Sequence, residues 1–225
     1  MLKMFVMSTV ACIRVLRLSG AAVIVAALAV QAWADLTFGS FSWDQMPGYF
    51  TPLAALTGVV ALVVAGLSPR PDRWWIDALR VNATTYTAVA GAVYWALLAP
   101  YAIPKVPWAN AVLHGGAAVI LLLDWLVVGR KRRLPIRTWP TVLAVPAGWL
   151  TYLLVRASRD GWVPYPFLDP ARGLTAIAGT VGLIAVLGLA CAAILHVSTF
   201  LRRGTARDAR PLTAELVVTY SRHAQ

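Results

Sequence analysis

Few residues of this 225-residue chain could do chemistry, because most of its ionisable side chains fall between long apolar runs rather than inside them. Within the runs stand His114, Asp124 and His196, accompanied by the neutral polar residues Thr51, Thr57, Asn82, Thr84, Thr85 and Asn110. An ionisable group in such a run is costly to bury, so each is a functional candidate until a structural partner is found. Thr51 falls about two residues inside the start of one run and His114 about five residues inside the start of another. At 1.5 Å per helical residue the two differ in depth by only about 4 to 5 Å, so they can meet. A hydroxyl beside a neutral imidazole is the minimal arrangement for nucleophilic catalysis on a carbonyl: the imidazole takes the hydroxyl proton and later returns it to the leaving alcohol.

The other ionisable residues fit that site less well. Asp124 follows His114 by ten residues, about 15 Å further along the same helix, so it cannot orient that imidazole directly. It is expected to pair with a basic residue such as Arg130 or with a polar group on a neighbouring helix. His196 belongs at the opposite end from His114, and His223 lies in the tail, which leaves no paired set of haem ligands. Cys12 and Cys191 are far apart in sequence and without a C-x-x-C partner, so neither a disulfide framework nor a metal site is inferred, and no cofactor is expected.

The elements that must position these residues are legible from composition. Hydrophobic residues make up 60% of the chain and charged ones 13%, with a mean hydropathy of +0.70, which sets a soluble domain aside. The apolar runs approach the roughly 20 residues needed to cross a bilayer. The expected fold is an all-α bundle of six transmembrane helices at 15 to 34, 49 to 68, 81 to 103, 109 to 128, 139 to 155 and 173 to 200. Residues 1–201 form the membrane domain and residues 202–225 a basic tail. Pro146 interrupts the short fifth run, a break that membrane helices tolerate when neighbours satisfy the freed backbone groups.

The net charge of +11 reads as a topology signal rather than a nucleic-acid surface. Sixteen of the 20 Lys and Arg residues fall on one side of the six runs, among them Arg130, Lys131, Arg132 and Arg133. Lys105, Arg156, Arg159 and Arg172 fall on the other. Both termini are therefore expected in the cytoplasm, with Thr51 and His114 toward the outer leaflet of the cell membrane. Trp33, Trp43, Trp74, Trp75, Trp108, Trp139 and Trp162 stand near the ends of runs, where amphipathic rings favour the interface. The first run, with Ala32-Trp33-Ala34 before Asp35, also has the features of a cleavable signal peptide, and its length favours retention.

Several segments taken together resemble the androgen-induced gene / androgen-dependent TFPI-regulating protein family. They are Tyr49-Phe50-Thr51, Leu113-His114, Asp124-Trp125 and the loop Tyr165-Pro166-Phe167-Leu168-Asp169-Pro170, which is similar to the family's YPFLD element. The resemblance covers about residues 14 to 200. It implies an intramembrane threonine hydrolase acting on fatty acid esters of hydroxy fatty acids, with Thr51 as nucleophile and His114 as its histidine. Where many bacterial relatives continue F-T-x-x-S-N, this chain reads Phe50-Thr51-Pro52-Leu53-Ala54-Ala55. Asn110, Tyr165, Asp169 and Asp124 are the supporting candidates: Asp169 to steady His114, Tyr165 to donate to an oxyanion, Asn110 to bond within the site or to another helix. Pro164, Pro166 and Pro170 equally suit a rigid turn with aromatic anchors. The partners implied are membrane lipids and an amphiphilic ester. A small proton or solute transporter and a non-catalytic membrane scaffold are the alternatives.

Overall fold

An apolar segment in lipid must satisfy its backbone N–H and C=O groups internally, and helix does so within one segment. The computed structural model describes residues 2–39, 42–69, 73–127 and 134–201, and among these it is helical with no strand. The long helices are α1 (Leu2–Thr37), α2 (Phe50–Leu67), α3 (Trp74–Val93), α4 (Pro107–Val127), α5 (Ala144–Asp160) and α6 (Leu174–Leu201). The run Arg130 to Arg133, the tail 202–225 and His223 lie outside the described residues.

Among the described residues, five segments are long and apolar enough to cross a membrane: Val10–Thr37, Phe50–Leu67, Pro107–Val127, Ile136–Asp160 and Leu174–Phe200. The expected span at 81 to 103 falls on α3, which is not among them. The reason is composition: α3 carries Asp77, Arg80, Asn82, Thr84, Thr85 and Thr87. It is nevertheless central to the packing, lying against α2, α4 and α6, and all of these polar side chains except Asn82 are buried. Their polarity is directed into protein rather than toward lipid.

The proline-rich fifth segment divides in two. Residues Ile136–Leu143, with Pro140 inside, form a 3-10 stretch, and the α-helix proper begins at Ala144. Pro146 is the third residue of α5, where its missing N–H is one that a first turn leaves unpaired anyway, so the helix continues through it. Trp149 on α5 donates to the Gly48 carbonyl at 3.2 Å, tying α5 to the turn that precedes α2.

The end of the bundle far from Thr51 is held by ion pairs. Asp124 on α4 accepts from Arg17 Nε of α1 at 2.7 Å and from Arg80 Nη2 of α3 at 2.7 Å. Arg80 also donates to Asp77 at 2.9 Å, and its guanidinium lies 5.1 Å from the centre of the Trp125 ring. Arg17 Nη1 donates to the Ala65 carbonyl at 2.7 Å and Arg14 Nε to the Gly66 carbonyl at 2.9 Å, so α2 is caught by its C-terminal end. The four side chains of the cluster are 3 to 8% exposed. Two carboxylates offset two guanidinium groups, so burial leaves no uncompensated charge.

Replacing Asp124 by Asn keeps its shape and removes its charge, leaving Arg17 and Arg80 with Asp77 as the remaining anion. Stability should fall by about 3 to 5 kcal/mol. Chemical unfolding of the detergent-purified protein would show this, and an unchanged midpoint would contradict the assigned role.

Candidate functional site

Tyr49 is extended (φ −86°, ψ 123°), and α2 starts at Phe50 with Thr51 and Pro52 following in its first turn. That turn leaves N–H groups without intrahelical partners. One is satisfied from the loop after α5: Phe50 N–H donates to the Tyr165 hydroxyl at 2.8 Å. Tyr165 is buried, its ring stacked on Phe167 with centroids 5.1 Å apart. Desolvation pushes its phenol above the usual tyrosine range, so the oxygen that accepts from Phe50 keeps its own proton to donate.

His114 sits in a π turn, Val112–Gly116, inside α4. On the facing side, α3 runs on past Val93 into a second π turn, Tyr94–Leu98. Such turns insert one extra residue, re-aim side chains and recur at functional sites. Here the two meet: the Tyr94 ring stacks on the imidazole, centroids 3.7 Å apart and planes 12° apart. Asn110 Nδ2 donates to the Tyr94 hydroxyl at 2.9 Å, and Trp95 Nε1 donates to the His114 carbonyl at 3.0 Å. The close approach needs Gly91, because a Cβ there would stand 2.5 Å from the His114 carbonyl oxygen. His114 Nδ1 is buried with no hydrogen-bond partner.

Two cavities adjoin these residues. One, of about 560 Å³, is the more polar of the two: Thr51, His114, Asn110 and the ion pair of Lys105 and Asp35 (3.1 Å) stand in its wall among apolar residues such as Leu28, Ile103 and Leu113. The other, of about 320 Å³, is walled almost entirely by apolar side chains of α3, α5, α6 and the loop after α5. Thr51, Tyr94, Leu98 and Tyr165 line both, so Thr51 stands where the two spaces meet.

Of the sequence candidates, Thr51, His114, Asn110 and Tyr165 thus share the polar cavity. No hydrogen bond joins Thr51 to His114. Asp169 lines neither cavity: it is exposed, and its carboxylate accepts from the Ala171 N–H at 2.9 Å, capping the short turn Pro170–Arg172. Asp124 also lines neither cavity and belongs to the ion-pair cluster with Arg17 and Arg80, while Arg130 lies outside the described residues. Ala54 and Ala55, the positions that depart from the polar F-T-x-x-S-N pattern, are each 1% exposed, and both are packed in the core away from the cavities.

A second threonine–histidine pair escaped the sequence reading. Thr138 Oγ1 and His196 Nε2 lie 3.0 Å apart, and His196 Nδ1 lies 3.0 Å from the Ala192 carbonyl, a partner that requires an Nδ1–H. Both residues are buried and line neither cavity, and Thr138 also donates to the Pro135 carbonyl at 2.7 Å. This pair fastens the 3-10 stretch to α6. Among the described residues, no three His, Cys, Asp or Glu side chains gather as a metal site would require.

A model of the FAR-17a/AIG1-like protein family matches residues 78–203. The chain belongs to that family. This is the androgen-induced gene family to which the Leu113-His114, Asp124-Trp125 and Tyr165-to-Pro170 segments pointed. Comparison with curated proteins and with solved structures gave no match. The matched residues of this FAR-17a/AIG1-like chain run from α3 through α6 and contain His114, Tyr94 and Tyr165; Thr51 precedes them.

The Gly91 contact gives a direct test of the paired π turns. Gly91→Ala should destabilise the protein by about 1 to 3 kcal/mol, because the added methyl must displace the backbone that carries His114. Gly179→Ala, where a Cβ meets nothing within 4 Å, serves as the control and should leave thermal stability unchanged or raised.

Proposed function

We propose that this protein is an intramembrane hydrolase of lipid-like esters, such as fatty acid esters of hydroxy fatty acids, in which Thr51 is the nucleophile and His114 the general base. The observation that carries the reading is the position of Thr51 at the junction of an apolar cavity and a more polar one, with His114 on the more polar side. An ester with a long acyl chain has the same division.

In the proposed reaction the His114 imidazole removes the Thr51 hydroxyl proton as Oγ1 attacks the ester carbonyl. The developing oxyanion accepts from the Tyr165 hydroxyl and from the Thr51 N–H, the one first-turn donor of α2 left after Tyr49 and Phe50 are bonded and Pro52 supplies none. Collapse of the tetrahedral species breaks the bond to the alcohol, which leaves with the proton held by His114. Water, deprotonated by the same imidazole, then releases the acid from Thr51. No carboxylate orients His114 here; stacking on Tyr94 fixes its ring instead. The missing Thr51–His114 hydrogen bond is one that substrate binding would bring into line, as catalytic contacts commonly tighten only in the complex.

The proposal places this site at the outer leaflet of the cell membrane, with α3 as a sixth span and both termini cytoplasmic. The support is the excess of Lys and Arg on the opposite side and the burial of the polar residues of α3 between its neighbours.

The test is hydrolysis of a panel of long-chain esters by the detergent-purified protein. Thr51→Ala and His114→Ala should each lower turnover by about 10²-fold or more at matched folding. Equal turnover in all three proteins, or none in a folded wild type, would overturn the assignment.

A further inference from the structure

The apolar cavity has a shape and a place that assign it a ligand. It is lined along α3 from Leu98 and Tyr94 down to Thr85, so it descends about 14 Å from Tyr94 toward the middle of the bundle. Its far wall is formed by α5 and α6, and α5 differs from the other long helices in how it is held. α1, α2, α3 and α4 pack on one another along their lengths, whereas α5 is secured mainly by its own 3-10 stretch and by the turn Met46–Gly48. Apart from Trp149 near its upper end, the residues lining the space from α5 and α6 are small or aliphatic, among them Pro146, Ala147 and Leu150 on one and Ile184, Ala185 and Gly188 on the other. Both helices are apolar enough to lie in lipid.

We infer that this cavity is the acyl-chain site of the hydrolase, filled sideways from the bilayer between α5 and α6, and that Gly188 sets the length of chain it accepts. The inference rests on the proposed hydrolase reading for its substrate and adds the subsite, the route and the residue. An apolar space in contact with a membrane holds little that hydrogen-bonds water, so a hydrocarbon chain entering it leaves one apolar medium for another, and shape rather than dehydration selects it. The carbonyl at the head of the chain then comes to Thr51, the polar residue at the upper end, while the remainder of the ester occupies the polar cavity beside His114. Gly188 is buried in the middle of α6, and a Cβ built there meets only Val89 Cγ2, at 4.0 Å. A methyl is therefore tolerated, and a large side chain must project into the space that the chain would occupy.

Two measurements test this separately from catalysis. Purified protein in lipid nanodiscs is photolysed with a long-chain fatty acid carrying a terminal diazirine, and adducts are mapped by mass spectrometry. Adducts should concentrate on cavity residues such as Val89, Val142 and Ala185 and fall at least fivefold in Gly188→Phe, with Gly188→Ala matching the wild type. Adducts spread over the lipid-facing surfaces and unchanged in Gly188→Phe would overturn the acyl site, whether or not the protein hydrolyses esters. In the second measurement, Gly188→Phe should lose at least tenfold in turnover of long-chain esters and keep its turnover of short-chain ones. Equal loss for both lengths, or no loss for either, overturns the role of Gly188. If no ester is turned over by wild type while the photoadducts map to the cavity, the hydrolase reading fails and the acyl site stands.

Discussion

Asp124 holds two guanidinium groups that are almost wholly buried, and the relative placement of α1, α3 and α4 follows from that demand. A carboxylate shared by Arg17 and Arg80 fixes the three helices at one end, and the arginine contacts to the Ala65 and Gly66 carbonyls draw in the end of α2. The consequence reaches the other end of the molecule. From Arg80 to Gly91 is eleven residues along α3, and from Asp124 to His114 is ten along α4, about 15 to 17 Å in each case. An antiparallel pair clamped at Arg80 and Asp124 therefore brings Gly91 opposite His114, as the 2.5 Å clearance at that glycine records. The ion cluster sets the register and the glycine permits the approach. The two π turns then aim Tyr94 and the imidazole at each other.

Some of this was legible in the sequence and some was not, for identifiable reasons. The long apolar runs gave five membrane-length helices, and helical rise alone brought Thr51 and His114 to one level. The helix α3 was harder, because its polar residues depress its hydropathy while its neighbours bury them. For Asp124 the sequence suggests a basic partner such as Arg130 or a polar group on a neighbouring helix, whereas Arg17 and Arg80 stand near the ends of apolar runs and read as topology signals, and only the packing turns them inward. The π turns have no sequence pattern, so the importance of Tyr94, an aromatic in an apolar run, was hidden. Thr138 and His196 are 58 residues apart, and only the return of α6 against the 3-10 stretch joins them. Asp169 precedes Pro170 as a turn-capping residue does, and its role proved local.

The departure from the F-T-x-x-S-N pattern after Thr51 also gains a physical meaning. Ala54 and Ala55 face packed helices, where an alanine permits close approach and a polar side chain would need a partner. The polar character of the site is supplied from other elements: Tyr165 from the loop after α5, Asn110 from the first turn of α4, and Lys105 with Asp35 at the rim. Membership of the FAR-17a/AIG1-like family is carried by the part of the chain from α3 onward, and the threonine on α2 is brought to it by the fold.

If Thr51 is a nucleophile activated by His114, it can be trapped covalently. Folded protein is treated with a long-chain fluorophosphonate, digested and analysed by mass spectrometry. A phosphonyl adduct should form on Thr51 of the wild type and be lost in His114→Ala. An adduct on another residue, or none on folded wild-type protein, would contradict it.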